Sequence, residues 1–360
     1  MTRQRPPRRP RAGHVLALAI ALVPGTATSL SGQLADPRPM AVEDLFRIAA
    51  VGSPVVSPDG RYVAYTLSTE SLEENSGESQ IWMLDLSAEG DPRQMTTGKS
   101  SAGSPAFSPD GRYLSFLTGR GDSEGRQVWR MDLQGGEARP LTDLERGVGA
   151  YAWAPDSRRL ALSLRDEAPE RPDGQPRPPW VIDRLQFKQD YSGYLDRRRS
   201  HLYVLDLDTG RLSQLTHGDF DDGSMEWSPD GTRIAFVSNR LDEPDPNSDT
   251  DVWVLESGAG TPLGDDTGRD PMEGLVAVSP GSGSDGSPRW SPDGTTLAWL
   301  TNLRPEVGGY GMSHLALGGP GVEPRILTEE LDRNVSSVRF SPDGGRIYAL
   351  LESEGAQSLI

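Results

Sequence analysis

The side chains best suited to catalysis are few in this chain. It has four histidines, His14, His201, His217 and His314, and no cysteine. No two histidines stand at the His-Glu-x-x-His spacing that sets two imidazoles on one helix face for zinc, and no thiolate exists to complete a ligand set. A serine nucleophile of the elbow type needs Gly-x-Ser-x-Gly, because close glycines let the chain turn sharply from strand to helix. The nearest approach, Gly311-Met312-Ser313-His314-Leu315, lacks the second glycine. It runs on through Ala316-Leu317 into Gly318-Gly319-Pro320-Gly321, so it reads as a strand and its loop. Carboxylates are abundant, but no spacing pairs any two for acid–base work. The acidic loop at 242–251 offers oxygen ligands for calcium without the spacing of an EF-hand loop, and reads as a solvated loop. No catalytic residue, metal ligand or cofactor is assigned.

The densest mixture of charge and aromatic surface is an interruption between Arg165 and Arg199. Its first part, Glu167 to Pro179, is rich in proline, arginine and acids and reads as irregular loop. Its second part runs Trp180-Val181-Ile182-Asp183-Arg184-Leu185-Gln186-Phe187 and then Asp190-Tyr191-Ser192-Gly193-Tyr194-Leu195-Asp196. Long loops on a repeat scaffold are often functional. Aromatics that merely pin the loop to the scaffold edge are the other reading, and the sequence leaves both open.

The scaffold is a repeat. Ser57-Pro58-Asp59-Gly60, Ser108-Pro109-Asp110-Gly111, Ser228-Pro229-Asp230-Gly231, Ser291-Pro292-Asp293-Gly294 and Ser341-Pro342-Asp343-Gly344 are full copies. Ala154-Pro155-Asp156-Ser157 is a degenerate one. Proline presets φ at the second turn position, aspartate bonds its own backbone, and glycine takes a positive φ. An aromatic precedes five of the six copies, namely Phe107, Trp153, Trp227, Trp290 and Phe340. A strand follows each turn, as in Arg233-Ile234-Ala235-Phe236-Val237-Ser238, and after a polar loop a third, such as Val128-Trp129-Arg130-Met131-Asp132-Leu133. A fourth, shorter strand ends near Leu141-Thr142, Leu215-Thr216 and Leu327-Thr328. Four antiparallel strands in roughly 50 residues make one blade of a β-propeller. The expectation is an all-β propeller spanning 53–360, with the interruption at about 165–199 inserted in the third blade. Five full four-stranded units and half of a sixth are expected, with unit four closing by about 264 and 352–360 beginning a further loop.

The ends and the composition add to this. Residues 2–13 carry Arg3, Arg5, Arg8, Arg9 and Arg11 with no acid, Val15 to Val23 is a short apolar run, and Pro24-Gly25-Thr26-Ala27 follows. This is the pattern of a secretory signal peptide, 1–27. Its apolar run is too short to span a bilayer, so stable membrane insertion after cleavage is not expected. The product is expected to be exported, periplasmic or secreted. Residues 28–39 read as a flexible segment, and 40–52 as a short helix leading to the first strand. The formal net charge of −17 argues against a nucleic-acid partner, which needs concentrated Lys and Arg.

Three stretches carry a family resemblance: Val42-Glu43-Asp44-Leu45-Phe46 leading to Gly52-Ser53-Pro54-Val55-Val56; Asp190 to Tyr203; and Trp227 to Arg240. With the Ser-Pro-Asp-Gly blades, they resemble the TolB-like propeller repeats. Those repeats also form the N-terminal domain of prolyl oligopeptidase-type serine peptidases, in particular the acylaminoacyl-peptidase and dipeptidyl-peptidase-like branch. The resemblance implies a propeller of about seven blades capping a C-terminal α/β-hydrolase domain. That domain carries the catalytic triad, and the propeller admits short peptides. No triad residue maps onto any position here, so the expected role of this chain is a non-catalytic, substrate-gating one. The resemblance makes Arg184, Asp190, Tyr191 and Tyr194 the candidate substrate contacts. The alternative is a TolB-like periplasmic propeller that binds a protein or a glycan.

Overall fold

Six blades follow one another along the chain in a computed structural model. It describes residues 38–360 except 89, 122–124, 169–178, 180, 191, 243, 247–248, 263–267, 280 and 282. The expected signal peptide and most of the segment after it therefore lie outside the described residues. The innermost strands of the blades are Ala50–Val56, Ala102–Phe107, Ala150–Trp153, Asp222–Trp227, Asp285–Trp290 and Val335–Phe340. Each pairs antiparallel with the strand that follows its turn, and those of blades 1 to 5 each pack against the innermost strand of the next blade. Before the first blade, Val42–Arg47 forms a short 3-10 helix with Val42 and Leu45 exposed.

The core is layered between blades. Met225, Trp227, Ile234, Phe236 and Trp253 of blade 4 meet Ala161, Leu202 and Val204 of blade 3. Leu117 and Val128 of blade 2 meet Leu160, Leu162 and Tyr203 of blade 3. Similar layers join blades 1 and 2, 4 and 5, and 5 and 6. A lone blade has two apolar faces and can bury neither, which is why stacking stabilises the repeat.

Two local devices recur. In every innermost strand but that of blade 3 the register shifts, as between Gly223 and Glu226. The extra residue is a serine at positive φ: Ser53, Ser104, Ser224, Ser287 or Ser337. These are β-bulges, which re-aim the side chains that follow them. The second device closes blades 1 to 5. A hydroxyl after the outer strand accepts the N–H at the start of the third strand: Thr96 from Ile81, Thr142 from Val128, Thr216 from Leu202, Ser279 from Val252 and Thr328 from Leu315, all at 2.8–2.9 Å.

Three expectations are corrected. Blade 4 does not close by 264; its outer strand is Val276–Ala277, fixed by the Ser279 hydroxyl. Thr261–Pro262 crosses instead to pair with Leu212–Gln214, giving blade 3 a fifth strand. Residues 352–360 are not the start of a loop, because Ala356–Leu359 pairs with Ile347–Ser353 and gives blade 6 three strands.

The Ser-Pro-Asp-Gly turns also tie neighbouring blades together. Arg159 stacks 4.9 Å from the Trp227 ring centroid and donates to the Gly231 carbonyl at 3.0 Å. Arg233 repeats this on Trp290 and Gly294, at 4.7 Å and 2.7 Å. Gly111 and Gly231 both have positive φ, but a Cβ on Gly231 would meet Arg159 Nη2 at 3.1 Å while one on Gly111 meets nothing within 4 Å. Gly111→Ala should therefore cost only the left-handed backbone penalty of about 1 kcal/mol. Gly231→Ala should cost more, by about 1 kcal/mol, because it also displaces a charged hydrogen bond. Urea unfolding midpoints of the two variants check the order.

Candidate functional site

The insertion and the loops of blade 4 enclose a cavity of about 1260 Å³ on the side of the propeller opposite the Ser-Pro-Asp-Gly turns. The insertion folds back as a small hairpin, Lys188–Gln189 against Gly193–Tyr194. The Phe187 and Tyr194 rings lie beside each other with centroids 6.3 Å apart, and Leu195 donates to the Phe187 carbonyl at 2.8 Å. At the root, Asp196 holds Arg165 at 2.9 Å and Arg198 at 2.7 Å. Asp183 pairs with Arg197.

Blade 4 fixes the hairpin from the other side. The Asp245 carboxylate accepts the backbone N–H of Leu185 at 2.5 Å and of Gln186 at 2.9 Å. Those two bonds, Gln186 first, hold its carboxyl below the usual carboxylate range. Arg199 donates to Asp219 at 2.7 Å and Asp221 at 2.8 Å. Beneath lies a buried network. Arg240 Nη2 is 2.7 Å from Asp222 Oδ1 with both side chains 0% exposed, and His201 stands 3.4 Å from both Asp222 and Asp166. Arg240 also stacks on Phe220, 4.8 Å from its centroid, and Phe220 lines the cavity.

Of the candidate contacts, Arg184 and Tyr194 line the cavity, Asp190 is exposed away from its lining, and Tyr191 lies outside the described residues. Tyr194 is 49% exposed, and Val181, Ile182 and Leu185 add further exposed apolar surface to the insertion. The arginines of the root and floor are each bound to carboxylates, whereas among the described residues Arg184 makes no ion pair. The cavity is thus polar and charged within, with an apolar and aromatic rim. Such a surface suits a short extended chain, whose backbone amides need polar partners and whose side chains need apolar ones.

Sequence reasoning did not find Arg199, Asp219, Phe220, Asp221 or Asp245. Asp245 sits in the acidic loop read as merely solvated. A signal was present: the loop joins the second and third strands of blade 4, as the insertion does in blade 3, so the two must share one side. Among the described residues no group of three or more His, Asp or Glu is placed to hold a metal ion. His201 and His314 occupy the same repeat position as Gln80 and Gln127, just before the third strand's closing bond, and His314 Nδ1 lies 2.8 Å from the Thr328 carbonyl. No helix among the described residues is long and apolar enough to cross a membrane.

No protein-family model matches the chain. It is similar to YuxL, named an uncharacterized peptidase, from Bacillus subtilis, with 30% identity over 219 residues, 59% of this chain and 33% of YuxL. It is 26% identical over 287 residues to dipeptidyl-peptidase 5 of Porphyromonas endodontalis, covering 74% of this chain and 39% of that protein. Its fold superposes on Pyrococcus horikoshii acylaminoacyl peptidase with a TM-score of 0.61 at 20% identity, covering 88% of this chain and 45% of that one. The chain thus spans less than half the length of each of these proteins. The solved structure shows the β-propeller fold, and the likenesses together associate the chain with the propellers of peptidase- or TolB-like proteins.

Proposed function

We propose that this chain is the substrate-gating propeller of a serine peptidase acting on short peptides, with catalysis by an α/β-hydrolase domain in the remaining length of the whole protein. Its N-terminal pattern makes the protein an exported one, periplasmic or secreted. The observation that carries the reading is the rim cavity: the insertion in blade 3 and the loops of blade 4 together build a peptide-sized space lined by Arg184 and Tyr194. The named activities of similar proteins support the same reading. In it, Tyr194 supplies a rigid apolar surface and Arg184 a charge not taken up by an ion pair among the described residues. Asp190, exposed in the turn of the same hairpin, is a further candidate, as is Tyr191, which lies outside the described residues.

The test is steady-state hydrolysis of short peptide substrates by the whole protein purified from its host. Arg184→Ala and Tyr194→Ala should each raise KM about tenfold, about 1.4 kcal/mol of lost binding, with kcat little changed. An unchanged KM in both variants would remove the cavity from the function. A whole protein with no peptidase activity would favour a protein- or glycan-binding propeller.

A further inference from the structure

One position of the repeat divides the propeller in two. The residue just before the aromatic position that precedes each turn is Val55, Ala106 and Ala152 in blades 1–3, but Glu226, Arg289 and Arg339 in blades 4–6. All six lie on innermost strands, which surround the axis of a propeller. In blades 4–6 each of them follows the serine bulge. Arg289 Nη1 lies 3.0 Å from Glu226 Oε2 and donates to the Pro288 carbonyl at 3.1 Å. Arg339 Nη1 donates to the Val338 carbonyl at 2.8 Å, and its side chain makes no ion pair among the described residues.

The three charges sense one another. Burial raises the Glu226 carboxyl above its ordinary range, with Arg289 and Arg339 opposing. Partial withdrawal from water and then the Arg289 charge lower the Arg339 guanidinium, with Glu226 opposing. Two guanidiniums against one carboxylate leave this cluster of three with a net positive charge. Each guanidinium has spent one nitrogen on its own strand, which holds it in place, and each has five N–H donors in a planar fork. Held, planar and in excess of their internal partner, they match a second carboxylate.

We propose that Arg289 and Arg339 form an anion site on the axial wall of blades 4–6 that takes a carboxylate, from a peptide's C-terminus or from an acidic side chain. Glu226 is the internal competitor: it occupies Arg289 until a ligand carboxylate spans both arginines. The inference rests on the peptide-gating reading for the source of the carboxylate, and names the group by which the propeller distinguishes one short peptide from another.

Calorimetric binding to the 360-residue chain tests it with three peptides: Ac-Ala-Ala-Ala with a free C-terminus, the same peptide amidated, and amidated Ac-Ala-Asp-Ala. A peptide bearing a carboxylate should bind at least tenfold more tightly than the amidated tri-alanine. The free-acid tri-alanine winning assigns the C-terminus as the source, and the aspartyl peptide winning assigns the side chain. Arg339→Ala should abolish the preference, Arg339→Lys should keep part of it, and Glu226→Gln should increase it several-fold. Thermal unfolding of each variant confirms that it is folded. Equal affinity for all three peptides, or a preference that survives Arg339→Ala, overturns the proposal. Because binding is read on this chain directly, a whole protein without peptidase activity would remove the gating reading and leave this site standing.

Discussion

Asp222→Ala should destabilise the protein by about 3–5 kcal/mol, the cost of leaving one member of a buried ion pair uncompensated. Asp222 and Arg240 are both wholly buried, 2.7 Å apart. Arg240 spends Nη1 on the Pro271 carbonyl at 2.9 Å and stacks on Phe220 and Phe236, and its Nε has no partner among the described residues. Its charge therefore depends on one carboxylate. Water cannot replace that carboxylate cheaply at a site this deep. Urea unfolding of Asp222→Ala measures the loss; a change under about 1 kcal/mol would show that the pair is not what neutralises the guanidinium. The double variant Asp222→Leu/Arg240→Met should recover most of the stability, since apolar residues of similar size often replace such a pair without loss. It should not recover the cavity. Asp222 follows Asp221, which binds Arg199, and opens the innermost strand of blade 4, and Phe220 rests on Arg240.

Stability should fall as pH rises from about 4 to about 7, and Asp251→Asn should flatten that slope. Burial, then the neighbouring Asp285 and Asp249, push the Asp251 carboxyl up to about 7 from an ordinary 3.8, against one backbone bond from Gly281. The folded chain then holds a proton that the unfolded chain releases near pH 4. The stabilisation is complete below the unfolded value and is lost as pH rises through the folded one. A rise of that size is worth at most about 4 kcal/mol, and less to the extent that solvent screens the group. The repeat explains why a protonated group is wanted. Asp251 stands where blades 1 and 2 have Gln80 and Gln127, each of which takes a hydrogen bond from the blade-closing threonine at 2.7 Å. A neutral amide suits that position at every pH. Asp251→Asn should be more stable than the parent at about pH 8 and equal to it near pH 4, by chemical unfolding at both. A parent profile flat across that range would contradict this.

The blades were legible because each is announced by a turn with proline and aspartate, followed in five of six by a glycine at positive φ and preceded in five of six by an aromatic. Central strands such as Arg233–Ser238 showed as short, nearly continuous apolar runs, because both of their faces are buried between neighbouring blades. The places of the outer strands did not show. Val276–Ala277 and Thr261–Pro262 are two residues each, and which blade each one closes depends on hydroxyls and partners contributed from elsewhere. Ala356–Leu359 is exposed along its length, so no apolar alternation marks it. The serine bulges were invisible for a related reason. A bulge exists only relative to the partner strand, and Gly-Ser alone does not state a register.

The propeller, its repeat, and the one place where an insertion gathers arginine, aspartate and tyrosine are all written in the order of the residues. What that insertion meets is not. Asp245 reaches Leu185 from 60 residues away, and Asp219 and Asp221 reach Arg199 from the following blade. Nor does residue order reveal that Arg289 reaches Glu226 from 63 residues away, or that the Arg339 charge acts on the same carboxylate. The physical reason is the same in both cases. Strand propensity and turn chemistry act over a few residues and are written locally, whereas the neighbour of a charged side chain is set by how blades stack around the axis.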